Sequence, residues 1–282
     1  MKIVVLIQAH KDVEQINRLI RAFDHPGYAV YVSLDLKSDI DPAQIDPHAR
    51  RIEPRREIYW GEFAWVEAAL GAFTQIEREQ DYGYVLNISG QDYPVWSNER
   101  ILRFLKEAQG KVFVHHAPLA PGGWPEAADR VEYHHYIGKS SIRRLIFKAA
   151  RGARRLLGIK RTMPGGMNAY GGSNWLTLSR EAVTAILAFV AANPGYSEFM
   201  RTVVIPDEIF FHTILLNSPL RAVVVNENHR YIDWSERLPN PKCLTSADFA
   251  HIEASGKMIC RKIDLRTEGG LLDMLDSRRR DA

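Results

Sequence analysis

IVVLIQAHKDVEQINRLIRAFDHPGYAVYVSLD (Ile3–Asp35) sets two apolar runs around one helical stretch. Its first part, Ile3–Ala9, is apolar at nearly every position, the pattern of a strand covered on both faces. From Val13 to Phe23 the apolar residues Val13, Ile16, Leu19, Ile20 and Phe23 recur at helical spacing. Tyr28–Asp35 reads as a second strand. Strand, helix and strand in this order predict a parallel α/β unit with a right-handed crossover.

The alternation continues outward. Helices are expected at Phe63–Glu79, at Asn98–Ala108 capped by Ser97 or Asn98, at 180–192 capped by Ser179, and from Asp207 onward. Strands are expected at Tyr82–Gly90, Lys111–Ala117 and from Arg221, with short helices closing the chain. No internal repeat or clean linker interrupts the 282 residues. The reading is one α/β domain with a mostly parallel central sheet. Such sheets bind ligands beyond the carboxyl ends of their strands, which singles out His10, Asp35 and the Ser89–Pro94 turn.

Several chemistries are excluded by their missing motifs. LIQAHKD follows the first strand where a glycine-rich dinucleotide turn would stand, and no P-loop or nucleophile elbow occurs. The two cysteines, Cys243 and Cys260, give neither a disulfide framework nor a zinc spacing. The opening apolar run is too short for a signal peptide, and the longest, AVTAILAFVAA, is well below the roughly 20 residues that span a bilayer. The expectation is a cytoplasmic protein in reducing surroundings.

Three acidic positions invite chemistry. Asp35 ends a strand, where a carboxylate can accept from a ribose or simply close a turn. Asp92 in SGQDYP can accept from a sugar hydroxyl or act as a turn acid. Asp207 and Glu208 follow Pro206 in VVIPDEIFFHT. The proline suits a first helical turn and the helix dipole favours acids there, yet a carboxylate beside an apolar helix also suits a general base. The residues alone leave each pair of readings open.

Seven stretches resemble one family in its own order: LIQAHKDVEQINRLIRAFDHPGYAVYVSLDLKSD, YWGEFAWVEAAL, YVLNISGQDYPVWSNERI, GGSNWLTLSREAV, PDEIFFHTILLNSP, HRYIDWS and NPKCLTSADF with MICRKID. The chain is similar to the core-2/I-branching N-acetylglucosaminyltransferases, a family shared with the peptide O-xylosyltransferases. The resemblance implies a GT-A-like nucleotide-sugar fold and inverting transfer from a UDP-sugar, GlcNAc first and xylose next, to a glycan or lipid-linked hydroxyl. It implies Glu208 as the base, with Asp207 holding the loop. It further implies Lys242, Lys262 and the adjacent Arg261 at the diphosphate, with no metal. The lone D-x-D, Asp39–Asp41, reads as a turn and helix cap. Gln8, His10, Asp35, Lys37, Trp60 and Gly61 are expected at the donor. Asp92, Ser173, Trp175, Tyr231, Asp233 and Trp234 are expected at the acceptor. A non-catalytic sugar- or nucleotide-binding protein of the same fold is the competing reading.

One segment matches the family poorly. Between Gly138 and Arg161 stand nine Lys or Arg and no acid, within a net charge of +3 for the whole chain. Ile142, Leu145, Ile146, Ala149, Ala153, Leu156 and Leu157 form one helical stripe there. This predicts a basic amphipathic insertion that either lies on an anionic membrane, on the inner face of the cell membrane, or packs on the protein's own core. The segment lacks the aromatic interleaving expected for nucleic acid.

Overall fold

A computed structural model describes residues 1–136, 141–267 and 269–280. Strand β1 (Ile3–Ala9), helix α1 (Val13–Ala22) and strand β2 (Tyr28–Leu34) form the expected unit, with β1 and β2 parallel and Ile3 opposite Tyr28. Asp12 caps α1 by accepting from the Gln15 amide at 3.1 Å. After β3 (Ala49–Arg51) and α2 (Ala64–Glu79), β4 (Tyr84–Ser89) pairs with the other edge of β1, also in parallel. A tight turn leads to β5 (Asp92–Pro94), and Ser97 caps α3 (Asn98–Glu107).

The middle of the chain holds β6 (Val112–Phe113), β7 (His116–Pro118), α4 (Ala128–Glu132) and α5 (Ser141–Leu156). Strands β8 (Tyr170–Gly172) and β9 (Thr177–Ser179) precede α6 (Arg180–Ala192), α7 (Pro194–Met200) and α8 (Phe210–Leu216). The last part supplies β10 (Val224–Val225), β11 (Arg230–Ile232), α9 (Phe249–Ala254), β12 (Ile259–Arg261) and α10 (Gly270–Arg280).

The main sheet runs β10-β6-β9-β4-β1-β2-β3, and only β9 is antiparallel to its neighbours. This mixed α/β architecture fits the GT-A-like class read from the sequence. A smaller sheet, β11-β12-β5, sits beside the carboxyl end of β4. Strand β1 is buried on both faces, as its unbroken apolar run requires. Ile3, Val5 and Ile7 meet Ile16, Leu19 and Ile20 of α1, with α3 and α10 residues in the same layer. Val4 and Leu6 face the opposite layer of α2, α6 and α8, including Phe73, Ile186 and Phe211. Each such fully buried aliphatic side chain contributes about 1.5–3 kcal/mol, so this strand anchors everything attached to its end.

Three expectations are corrected. The strand expected at Lys111–Ala117 is split into β6 and β7, and Asn226 binds both backbone groups of His116, at 2.8 and 3.0 Å, where pairing would continue. The strand expected from Arg221 begins instead with a 3-10 turn, Pro219–Val223, leaving only Val224 and Val225 extended. The helix expected from Asp207 is broken: Pro206–Glu208 form a separate 3-10 turn, and α8 starts at Phe210. Its cause lies one residue earlier. Ile205 adopts φ 51°, a left-handed conformation costly for a β-branched side chain, while its amide donates to Gly61 O at 3.0 Å. As for the basic segment, α5 is helical, but none of its residues is buried, so its apolar stripe is not packed on the core.

Candidate active site

The carboxyl ends of β1, β2 and β4 open onto one side of the sheet. There a cleft of about 560 Å³ is lined by His10, Lys11, Asp39, Ile40 and Arg266 among others. His10 is exposed at its rim, yet the crowded wall desolvates the ring, and with Lys11 adjacent the imidazole titrates below its ordinary range. Asp35 is buried, and its Oδ1 accepts from the amides of Lys37 at 3.0 Å and Ile58 at 3.2 Å, so it shapes the turn after β2. Lys37 lies 3.6 Å from Asp35 Oδ2 and stacks 4.2 Å over Tyr59. Next to Tyr59, Trp60 is 81% exposed, and Gly61 takes φ 78° against Ile205. Within the sequence's only D-x-D, Asp41 caps a short turn through the Ala43 amide while Asp39 alone reaches the cleft. Among the described residues, no His, Cys, Asp or Glu cluster is arranged to hold a metal ion.

Lys262 follows β12. Burial lowers its pKa, and Arg261 and Lys11 push in the same direction. Among the described residues its half-buried amine has no hydrogen bond or ion pair, which leaves it open to an anion. Arg261 is different. It donates to Asp92 at 2.6 Å and to Ser89 Oγ, and stacks 4.4 Å over Trp175. Lys242 is also occupied, at 2.7 Å from Asp248 and 3.9 Å from Asp233. Its loop still touches Lys262, because Leu244 donates to the Lys262 carbonyl at 2.8 Å.

Glu208 stands on the 3-10 turn, half-buried, with Oε2 accepting from Arg130 at 2.7 Å. Arg130 itself stacks 4.7 Å over Trp124. Asp207, the neighbouring acid, points inward. Burial, then the charge of Glu208, pushes its pKa up to about 7, while Asn174 donates to it at 3.0 Å. Packing is tight beside this turn: a Cβ on Gly171 would stand 3.1 Å from the Glu208 carbonyl.

A buried polar chain connects the two regions. Gln8 donates to Asn87 at 3.2 Å, Asn87 to the Asn174 carbonyl at 3.3 Å, and Asn174 to Asp207. It runs from the end of β1 to the residue before Glu208. Gln8 Oε1 has no partner and is buried. Trp175, one residue after Asn174, carries Arg261, so this cation at the end of β12 rests on the same loop. The cleft lining itself includes His10 but not Glu208, Lys242 or Lys262.

The residues expected at the acceptor separate. Asp92 has no exposed surface and accepts from Ser89 and Arg261, so it lies beneath the site as a positioning acid. Trp175 is buried between Arg261 and the edge of Trp65, and the Ser173 amide is tied to His115. Tyr231 and Asp233 are half-buried and Trp234 is 54% exposed, beside β12. Gly90, in the same turn, packs against Ala9 and Ile16, each 3.3 Å from where a Cβ would stand. Sequence reasoning missed Arg130, Asn174 and Arg230. Arg230 is buried and donates to Thr177 and the Asn87 carbonyl at 3.0 Å each, bracing the polar chain. A buried arginine in HRYIDW gives no local signal, whereas Asn174 lay within the GGSNW stretch already singled out.

Comparison with known proteins places these features in context. The sequence model of the family described as Core-2/I-Branching enzyme matches residues 4–258. Xylosyltransferase 2 of Canis lupus familiaris is 26% identical over 250 residues, covering 84% of this chain and 27% of that protein. Xylosyltransferase 1 of the same species is 27% identical over 244 residues, covering 83% and 24%. The xylosyltransferase of Ciona intestinalis is 24% identical over 255 residues, covering 86% and 28%. The chain thus spans about a quarter of the length of the curated relatives it matches.

Proposed function

The chain belongs to the Core-2/I-branching enzyme family, and on that premise we propose that it is an inverting glycosyltransferase using a UDP-sugar. The donor sugar is GlcNAc or xylose, the latter favoured by the names of its relatives. Glu208 takes the proton from an acceptor hydroxyl of a glycan or lipid-linked sugar. The freed oxygen attacks the anomeric carbon from the face opposite the nucleotide. The bond from that carbon to the phosphate oxygen breaks, and its electron pair leaves with UDP.

The leaving diphosphate needs compensating charge. Lys262, with Arg261 and Lys11 nearby, supplies it in place of a divalent ion. Gln8, His10, Asp35 and Lys37 bound the nucleotide side. Trp60 and Trp234 offer aromatic surface to sugar rings.

The observation that carries this reading is the Gln8–Asn87–Asn174–Asp207 chain, which ties the donor end of β1 to the turn bearing Glu208. Calorimetry with UDP, UDP-GlcNAc and UDP-xylose in EDTA tests it. Binding without added metal is expected, with UDP release when an acceptor is supplied. Strict dependence on manganese, or no affinity for any UDP compound, would overturn it.

A further inference from the structure

We propose that α5 docks the protein on an anionic lipid surface. The helix sits with its polarity reversed relative to a core-packed helix. Ile142, Leu145 or Ile146, Ala149, Ala153 and Leu156 follow one another at steps of three or four residues along one stripe, and the four large side chains among them, with Leu157 just beyond, are each more than half exposed. With Ile159 they make up half of the large apolar side chains exposed among the described residues. Single exposed leucines are ordinary, but a contiguous stripe marks a contact surface.

The opposite face is held to the protein. Arg155 pairs with Asp129, Arg151 contacts His135 at 2.8 Å, and Lys160 pairs with Glu132 at 2.9 Å. Phe147 leans on Tyr136 with ring centroids 5.6 Å apart. These contacts fix the helix so that its apolar stripe points to solvent. Lys148 is exposed along the side of the stripe.

Charge decides among occupants. The segment 138–161 carries nine cations and no acid. Arg155 and Lys160 are neutralised by Asp129 and Glu132, but the rest of the segment stays basic, so a second copy would bring like charge against like charge, which disfavours pairing. Nucleic acid would meet the charge but gain nothing from an aliphatic stripe. An anionic bilayer satisfies both, taking the stripe into the acyl boundary and the cations at the headgroups. The docked helix is linked to the site through α4, where Asp129 holds Arg155 and the next residue, Arg130, holds Glu208. Docking therefore holds the Arg130–Glu208 pair close to lipid-borne hydroxyls, a role that rests on the proposed function; the docking itself does not.

Flotation with phosphatidylcholine vesicles, with and without phosphatidylglycerol, tests the proposal. The wild type should float with the anionic vesicles only, and less as salt is raised. Leu145→Asp with Ile146→Asp should cut the floated fraction about tenfold. Its thermal melt should not change, since neither residue is buried. Glu208→Gln should float like wild type, so the result is independent of sugar transfer. A wild type that stays unbound, or a double variant that floats equally well, overturns the proposal. So does gel filtration showing a wild-type dimer that the double variant dissolves while neither binds vesicles.

Discussion

Arg130 donates to Glu208 across 2.7 Å, from a helix that no sequence motif marks. Both side chains keep partial access to water, so the pair adds about 1 kcal/mol or less to stability. Its effect is on direction, because it fixes which carboxylate oxygen faces away from Arg130. Arg130→Ala should lower kcat roughly tenfold or more through misplacement of the base. Calorimetry should show UDP affinity unchanged. Equal losses in UDP affinity and kcat would place Arg130 at the donor instead.

Lys242 and Lys262 are alike in sequence logic and unlike in structure. Among the described residues Lys262 has no carboxylate partner, whereas Lys242 is bound by Asp248. Lys262→Ala should weaken UDP binding by about 10–100-fold, the worth of one charge-assisted contact. Uridine, which lacks the diphosphate, should bind as before. Lys242→Ala should weaken both ligands to a similar, smaller degree by loosening the 233–248 loop. Titrations of the two variants with UDP and uridine check this directly.

The Asp92–Arg261 pair is a stability element beneath the site. Asp92 is fully buried, while Arg261 keeps 16% of its side chain exposed. Removing one partner of a buried pair costs roughly 3–5 kcal/mol because the other charge is left uncompensated. Asp92→Ala should therefore lower the urea midpoint sharply, while Asp35→Ala, at a more exposed turn, should cost less. A wild-type midpoint for Asp92→Ala would show that Arg261 finds another partner.

Asp207 makes stability depend on pH with a definite sign. Its pKa rises from the ordinary 3.8 to about 7 in the fold. Across that window the folded state binds more protons than the unfolded chain, so stability falls as pH rises. Asp207→Asn removes the effect. Its unfolding free energy, from urea titration, should decline less than that of wild type between about pH 4 and pH 8, by a few kcal/mol at the upper end, on the order of the shift. Parallel pH curves for the two proteins would contradict the assignment.

The sheet was legible because β1 is apolar at nearly every position, β4 is rich in apolar residues and α1 has clean helical spacing, signals set by local chain geometry. Caps at Ser97 and Ser179 were legible for the same reason. The break at Ile205 was not, since the force that holds it there is a contact with Gly61, far away in sequence. Position and resemblance marked Glu208, Lys242 and Lys262 alike, but only folding decides which charges find partners. Asp92 shows the limit most plainly: a turn acid in SGQDYP looks available for a sugar until Arg261 arrives from the far end of the chain. For the basic segment the order of residues left two readings open, and only the fold shows that α5 leaves its apolar stripe unpacked on the core.

The most direct measurement is steady-state transfer by Glu208→Gln alongside its affinity for UDP. Loss of the general base should reduce kcat by about 10²–10⁴-fold, with UDP affinity and thermal melting as in the wild type. Turnover within a few-fold of wild type, with UDP still bound, would contradict Glu208 as the group that accepts the proton.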